Sequence, residues 1–174
     1  MNRSMERIIS RCETLPHAIT LSKVAGGRAS LRYCNAMFEV LVGYELDQIK
    51  GLDCRFLQGK GTDPEAALKL DCCIQTLTAG SAVLLNYRKD GTAFMNLICL
   101  EPIRMKMDET YMLGLQYDFS PKVAEIAGSI GVLSAEATAR LQRAQSITAH
   151  YRKEAMQMQA QASAAILRML VNRP

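Results

Sequence analysis

Apolar positions in the second half of the chain predict three β-strands, Val83 to Lys89, Ala93 to Ile103 and Thr110 to Phe119. Successive side chains of a strand point to opposite faces of a sheet, and both faces of these segments are largely apolar. Neither face of the sheet can therefore be left to water. One face must cover an internal core or a ligand, and the other needs a helix or a partner.

Cap and turn residues divide the first half of the chain into short elements. Asn35 and Gly43 are typical caps of a helix over the intervening residues. The other predicted elements are an amphipathic helix over residues 1–15, strands Ala18 to Ser22 and Leu31 to Cys34, a helix around Glu45 to Ile49, one or two helical turns after Asp53, and a helix from Pro64 to about Ala79, ended by Gly80. This order predicts an α+β fold, with helices on one face of an antiparallel sheet of about five strands.

The C-terminal segment predicts a long helix that Ser134 caps and that runs to about Val171. Apolar and small residues recur in it at alternating spacings of four and three, which is the spacing of a supercoiling seam. The seam comprises Ala137, Leu141, Ala144, Thr148, Tyr151, Ala155, Met158, Ala162, Ala165 and Met169. Two interpretations stay open, a helix that packs on its own domain and a dimer interface.

The hairpin between the first two predicted strands gives a register. A three-residue loop with Gly91 in the left-handed conformation suits the residues Lys89 to Gly91. Asn86 and Asn96 then project from the same side of the sheet. Their apolar neighbours argue against a solvated polar pair, and a buried amide needs hydrogen-bond partners.

Composition and charge exclude several classes of protein. The net charge of +4 is scattered over the chain, so nucleic-acid binding is not expected. The first fifteen residues contain no long apolar run, so neither a secretory signal nor a membrane anchor is predicted, and a cytoplasmic location is expected. The six cysteines form no Cys-x-x-Cys pair and only two histidines occur, so no metal site is expected.

The segment Gly51-Leu52-Asp53-Cys54-Arg55-Phe56-Leu57-Gln58-Gly59 resembles the Gly-x-Asn-Cys-Arg-Phe-Leu-Gln signature of LOV (light-oxygen-voltage) domains, flavin-binding blue-light photoreceptors of the PAS superfamily. The resemblance extends over roughly residues 18–119. It includes Gly61 to Pro64, the hairpin from Asn86 to Asn96, Gly114 to Gln116, and the early helix near Asn35.

The resemblance implies a PAS/LOV fold, a flavin cofactor and a role for each motif residue. FMN is expected, with riboflavin or FAD possible. Cys54 would be the photoactive thiol, whose sulfur bonds reversibly to flavin ring carbon C4a. Gln116 would lie near ring N5 and reorient when that atom is protonated, and Arg55 would meet the flavin phosphate. The full set of expected flavin-binding residues is Thr20, Asp53, Cys54, Arg55, Gln58, Asn86, Phe94, Asn96 and Gln116.

Several residues depart from the LOV pattern, among them Val42 and Lys23-Val24, and two departures, Asp53 and Asp71, bear on the cofactor. Asp53 stands where the family usually has Asn, and an ionised carboxylate cannot donate a hydrogen bond. Asp71 stands where many relatives carry a second phosphate-binding arginine, which weakens the phosphate site. Riboflavin is therefore conceivable beside FMN.

We expect three segments: a helical cap over residues 1–17, a LOV domain over residues 18–120 and a helical extension over residues 121–174. The protein is expected not to be an enzyme, and to signal by rearranging its helical flanks and a homodimer interface that they form. The alternatives are light-regulated binding of DNA or a protein by the C-terminal helices, and a PAS scaffold that only dimerises. A cysteine-nucleophile enzyme using Cys54 with His17 or His150 has no supporting motif.

Overall fold

The structure, a computed structural model, describes residues 3–105, 109–120 and 135–171. Its centre is one antiparallel sheet of five strands in the order β2-β1-β5-β4-β3. The strands are β1 Ala18–Ala25, β2 Arg28–Cys34, β3 Gly80–Tyr87, β4 Ala93–Arg104 and β5 Thr110–Asp118. The expected fold class, an α+β protein with an antiparallel sheet of about five strands, is confirmed.

The helices lie before, between and after the strands. They are α1 Arg3–Glu13, α2 Ala36–Val42, α3 Leu46–Ile49, a short 3-10 helix η1 Cys54–Leu57, α4 Pro64–Thr76 and α5 Ala135–Val171. Ser134, the expected cap of α5, lies outside the described residues. Among the helices that the structure describes, none is both long and apolar enough to cross a membrane.

The predicted caps of α2 and α4 are confirmed. Asn35 Oδ1 accepts a hydrogen bond from the Phe38 backbone N–H at 3.2 Å, and Gly43 takes a left-handed conformation with φ 76°. Asp63 caps α4 through the N–H of Glu65 at 3.0 Å. The side chains that begin these helices therefore satisfy backbone donors that have no partner inside the helix.

The predicted end of α4 is wrong. The helix ends at Thr76, with Leu77 in the left-handed region at φ 53°, instead of continuing to Ala79. Gly80 begins β3 and lies close to α4, because a Cβ at this position would overlap Cys73 Sγ. Gly80 therefore serves close packing between α4 and β3 rather than the helix end.

The hairpin between β3 and β4 has the predicted register. The Arg88 N–H donates to the Thr92 carbonyl oxygen at 2.9 Å, and Gly91 has φ 83°. Asn86 lies opposite Phe94, and Leu84 lies opposite Asn96. Asn86 and Asn96 therefore share one face, which we call the inner face because α2, α3, η1 and α4 pack on it.

The opposite, outer face is covered by α1 and α5. Ile8 and Cys12 of α1 and Ala160, Ala164 and Leu167 of α5 form one buried cluster with the outward side chains of β1, β4 and β5. Burying one side chain of the size of Ile8 or Leu167 contributes roughly 1.5–3 kcal/mol. Both faces of the sheet are thus covered, as the strand pattern predicted.

The face of α5 that packs on the sheet is not the predicted seam. Ala160, Ala164 and Leu167 are buried against the outer face. The seam residues Tyr151, Met158 and Met169 are 66%, 69% and 67% exposed, respectively. From Tyr151 onward the helix therefore has two apolar sides, one against its own domain and one, with these three seam residues, facing outward.

Candidate functional site

Three amide side chains converge on the inner face, one from each of β3, β4 and β5. The Asn96 amide nitrogen donates to Asn86 Oδ1 at 2.9 Å and to Gln116 Oε1 at 2.7 Å. These three side chains, of Asn86, Asn96 and Gln116, are all buried, and we call them together the amide group. The antiparallel register explains the convergence, since Asn86 and Asn96 flank the hairpin and Ile98, two residues after Asn96, pairs with Gln116.

The amide group contains an unsatisfied acceptor. Asn96 is fully buried, and its Oδ1 has no hydrogen-bond partner among the residues described. A buried oxygen of this kind normally finds a donor in the protein, in water or in a ligand. The flavin ring offers an N–H next to two carbonyl oxygens on its pyrimidine edge, so this amide group fits a flavin edge.

Thr20 and Phe94 border the amide group. Thr20 pairs with Gly114 across β1 and β5, and its hydroxyl donates to the Gly114 carbonyl oxygen at 3.5 Å. A Cβ at Gly114 would lie 2.5 Å from Thr20 Oγ1, so only glycine fits there. Phe94 is buried, and the Arg88 guanidinium carbon lies 4.1 Å from the centre of its ring.

Cys54 begins η1 and is half-buried against a cluster under α2 and α3 that includes Phe94. Asp53 holds the start of η1 by accepting from the Arg55 N–H at 3.0 Å. The neighbouring Ser22 side chain acts on the thiol by lowering its pKa. Sequence reasoning missed Ser22, although its position two residues after Thr20 on β1 places it on the same face of the sheet.

Burial determines the protonation state of the Cys54 thiol. Burial in the first place, and the negative charge of Asp53 in the second, raise the pKa of Cys54 to about 12. The effect of Ser22 offsets only part of this rise in pKa. At neutral pH the group is therefore a thiol, which carries its own proton and is a poor nucleophile.

The remaining predicted site residues lie at the surface end of η1. Arg55 Nη2 lies 2.8 Å from Asp71 Oδ1, and Arg55 Nε lies 3.9 Å from Asp53 Oδ2. Gln58 is half-buried and follows the last residue of η1. The predicted site thus has two parts, an inner part with the buried amides and the half-buried Cys54, and a charged part at the surface.

Asn35 is a second residue whose role exceeds what the sequence suggested. Besides capping α2, its side chain accepts from the Ile19 N–H at 2.9 Å. It also donates to the carbonyl oxygens of Cys12 at 3.0 Å and His17 at 2.8 Å. One amide therefore joins the end of α1 to β1 and α2.

Comparison with known proteins identifies the fold. A family model described as a PAS domain matches residues 16–121. The structure superposes on the LOV domain of a blue-light activated histidine kinase from Erythrobacter litoralis EL346, with TM-score 0.57 and 32% identity over 61% of this chain and 98% of that domain. This chain belongs to the LOV class of PAS domains.

Two further relatives of this LOV chain differ in extent. A blue-light photoreceptor of Listeria monocytogenes is 40% identical over 49% of this chain and 34% of that protein. An RNA-binding light-oxygen-voltage receptor has TM-score 0.62 and 29% identity over 85% of this chain and 39% of the receptor. The chain spans about a third or less of the length of the curated relatives that it matches.

Proposed function

We propose that this LOV chain is a blue-light sensor that binds a flavin between the inner face of the sheet and η1. The single observation that carries the proposal is the buried amide group of Asn86, Asn96 and Gln116, in which Asn96 Oδ1 lacks a donor. The relatives named as blue-light photoreceptors support the same conclusion. Cys54 would supply the sulfur that bonds to a ring carbon of a flavin excited by blue light, and its thiol proton would pass to the neighbouring ring nitrogen.

The chain's own contribution to this chemistry is to hold a protonated thiol against the ring. Asp53 and the short helix η1 fix the backbone at Cys54, which meets the proximity requirement of a bond-forming group. Because the pKa of Cys54 is raised to about 12, the sulfur and its proton are both present at neutral pH. The same raised pKa disfavours a cysteine-nucleophile enzyme, which needs a thiolate.

Gln116 would link bond formation at Cys54 to the outer face of the sheet. Its amide accepts from Asn96 and lies on β5, whose opposite face packs under α1 and α5. An amide can present either its oxygen or its NH₂ group to a ring atom that changes from acceptor to donor. Rotation of Gln116 would replace its hydrogen bond with Asn96 and so change the contacts between β4 and β5.

The flavin ring alone does not distinguish among possible cofactors. FMN, expected from the sequence, shares its ring with riboflavin and FAD, so the amide group treats the three alike. The remaining expectations also form part of the proposal. They are a helical cap over residues 1–17, a sensor over residues 18–120 and an extension over residues 121–174, a cytoplasmic location, and no enzymatic activity or nucleic-acid binding of this chain.

Absorption spectroscopy of Cys54→Ala and Cys99→Ala tests the photochemistry. The unmodified protein should be yellow and lose its blue absorption band reversibly under blue light. Cys54→Ala should stay yellow but no longer bleach, whereas Cys99→Ala, which removes a buried thiol from the outer face, should bleach normally. A colourless protein after reconstitution with flavin, or bleaching that survives Cys54→Ala, would contradict the proposal.

The exposed seam of α5 is the proposed dimer interface. Tyr151, Met158 and Met169 form an apolar row on the side of α5 away from the sheet, and a second copy of the same helix would bury it. Light scattering should then give the mass of two chains in at least one light state. Met158→Glu should give single chains, whereas Gln159→Glu, also exposed on α5, should not. Identical mass and shape in the dark and under light would refute light-dependent dimerisation.

A further inference from the structure

The charged part of the site has an excess of acidic groups. Arg55 is paired with Asp71 through two of its nitrogens, Nη2 at 2.8 Å and Nε at 3.2 Å from the same carboxylate oxygen. Asp53 Oδ2 lies 3.9 Å from Nε of the same guanidinium. One positive charge thus faces two negative charges, and its hydrogen-bond donors on the Asp71 side are occupied.

This group lies where the tail of a bound flavin would reach solvent. With the pyrimidine edge on the buried amides and the ring against Cys54, the polar side chain of the flavin must leave the site toward the surface. Arg55 follows Cys54 directly and its side chain is 48% exposed. A phosphate at the end of that tail carries up to about two negative charges and has to remain hydrated or paired with a cation.

We propose that Asp71 makes this site select a flavin without a phosphate, so that riboflavin binds more tightly than FMN. The inference rests on the proposed flavin site and adds which member of the flavin class it takes. A phosphate could recruit Arg55 only by displacing Asp71, and it would then lie beside two carboxylates. Riboflavin ends in a neutral hydroxyl group, which either carboxylate can accept as a hydrogen-bond donor.

The proposal is tested by titrating the full flavin-free chain with riboflavin and with FMN at low salt. Binding is measured by the fluorescence of the flavin. Riboflavin should bind about tenfold more tightly than FMN, the order expected when one uncompensated charge faces a dianion in water. Asp71→Asn should tighten FMN binding by about tenfold and change riboflavin binding less than twofold. Glu65→Gln removes the same charge from an exposed position of α4 and should change neither.

The outcomes separate this proposal from the sensor function. If FMN binds more tightly than riboflavin, or if Asp71→Asn shifts both flavins equally, the selection by Asp71 is refuted and the flavin site stands. If neither flavin binds the folded chain, the proposed function fails and the selection fails with it.

A salt titration of the unmodified chain keeps the test independent of any variant. Repulsion between the carboxylates and a phosphate predicts that FMN binding tightens as sodium chloride rises, because salt screens exposed charges. Riboflavin binding should not follow the same trend. FMN binding that weakens or stays constant with salt would overturn the proposal, since it would mean that Arg55 is free to attract the phosphate.

Discussion

Asn35→Asp is the change that most directly tests how the N-terminal helix is attached. The aspartate keeps the oxygen that accepts from the Ile19 and Phe38 backbone N–H groups. It loses the NH₂ group that donates to the Cys12 and His17 carbonyl oxygens at 3.0 Å and 2.8 Å. The substitution therefore removes the bonds to the α1 side of the residue and leaves the α2 cap in place.

The expected loss has two sources: the bond to the His17 carbonyl oxygen, since the Cys12 carbonyl oxygen also accepts from the Leu15 N–H at 3.3 Å, and the carboxylate placed at a position that is 1% exposed. A buried carbonyl group left without a donor costs about 1–3 kcal/mol. The protein can avoid that cost by releasing α1 into water, which forfeits burial of Ile8 and Cys12. Burying a side chain of the size of Ile8 is worth roughly 1.5–3 kcal/mol. We therefore expect a loss of at least about 2–3 kcal/mol, which detachment of α1 limits because it brings the new carboxylate into water.

Hydrogen exchange with mass spectrometry distinguishes this local effect from general unfolding. Amides of α1 should exchange much faster in Asn35→Asp, while amides of β4 and β5 keep their protection. Ala36→Asp places the same charge at the neighbouring exposed position and should leave α1 unchanged. Equal acceleration in α1 and β4, or no acceleration in α1, would refute the attachment by Asn35.

Three further changes have defined outcomes. Burial raises the pKa of Cys12, Cys34 and Cys54 to about 12 from 9.0, so the unfolded chain loses these protons at lower pH than the folded chain. The stability that these three thiols contribute should therefore be fully present below about pH 9 and be lost as the pH rises toward 12. Urea titrations that give the same free energy of unfolding over that range would contradict this. Arg168→Ala leaves the buried Glu101 carboxylate without its cation. It should lower the free energy of unfolding by about 1–2 kcal/mol and speed hydrogen exchange in the second half of α5. Adding Glu101→Gln to Arg168→Ala should restore part of this loss. Gly114→Ala should lower the free energy of unfolding by about 1–3 kcal/mol, because its new Cβ would lie 2.5 Å from Thr20 Oγ1. Adding Thr20→Ala removes that oxygen and should restore part of the stability. A double variant that is no more stable than Gly114→Ala would rule out this clash.

Most of the fold could be predicted from the sequence, because helix caps and hairpin loops depend on residues that are neighbours in the chain. Asn35, Gly43 and Asp63 act within one turn of chain, so their capping roles could be predicted from neighbours alone. The register of the β3–β4 hairpin likewise depends on a three-residue loop. That register was sufficient to place Asn86 and Asn96 on one face.

The features that sequence reasoning missed depend on contacts between distant residues. The end of α4 at Leu77 uses a left-handed leucine, which is uncommon, so Gly80 was the more natural choice from sequence. On α5, Ala160, Ala164 and Leu167 repeat with the same spacings of four and three as the seam. Periodicity therefore could not decide which side faces the sheet. The pairing of Arg55 with Asp71 links residues sixteen positions apart and follows only from the packing of η1 near α4.

Strand β4 shows how short the path across this molecule is. Its inward side chains include Asn96, and its outward side chains include Glu101, which holds Arg168 of α5. These two contacts are five residues apart on one continuous strand, and opposite parity places them on opposite sides. A change in the hydrogen bonds of the amide group can therefore alter the contact between β4 and α5 through a single strand. Shifting β4 by one residue would exchange its two sides, so the strand's register is a condition for that communication.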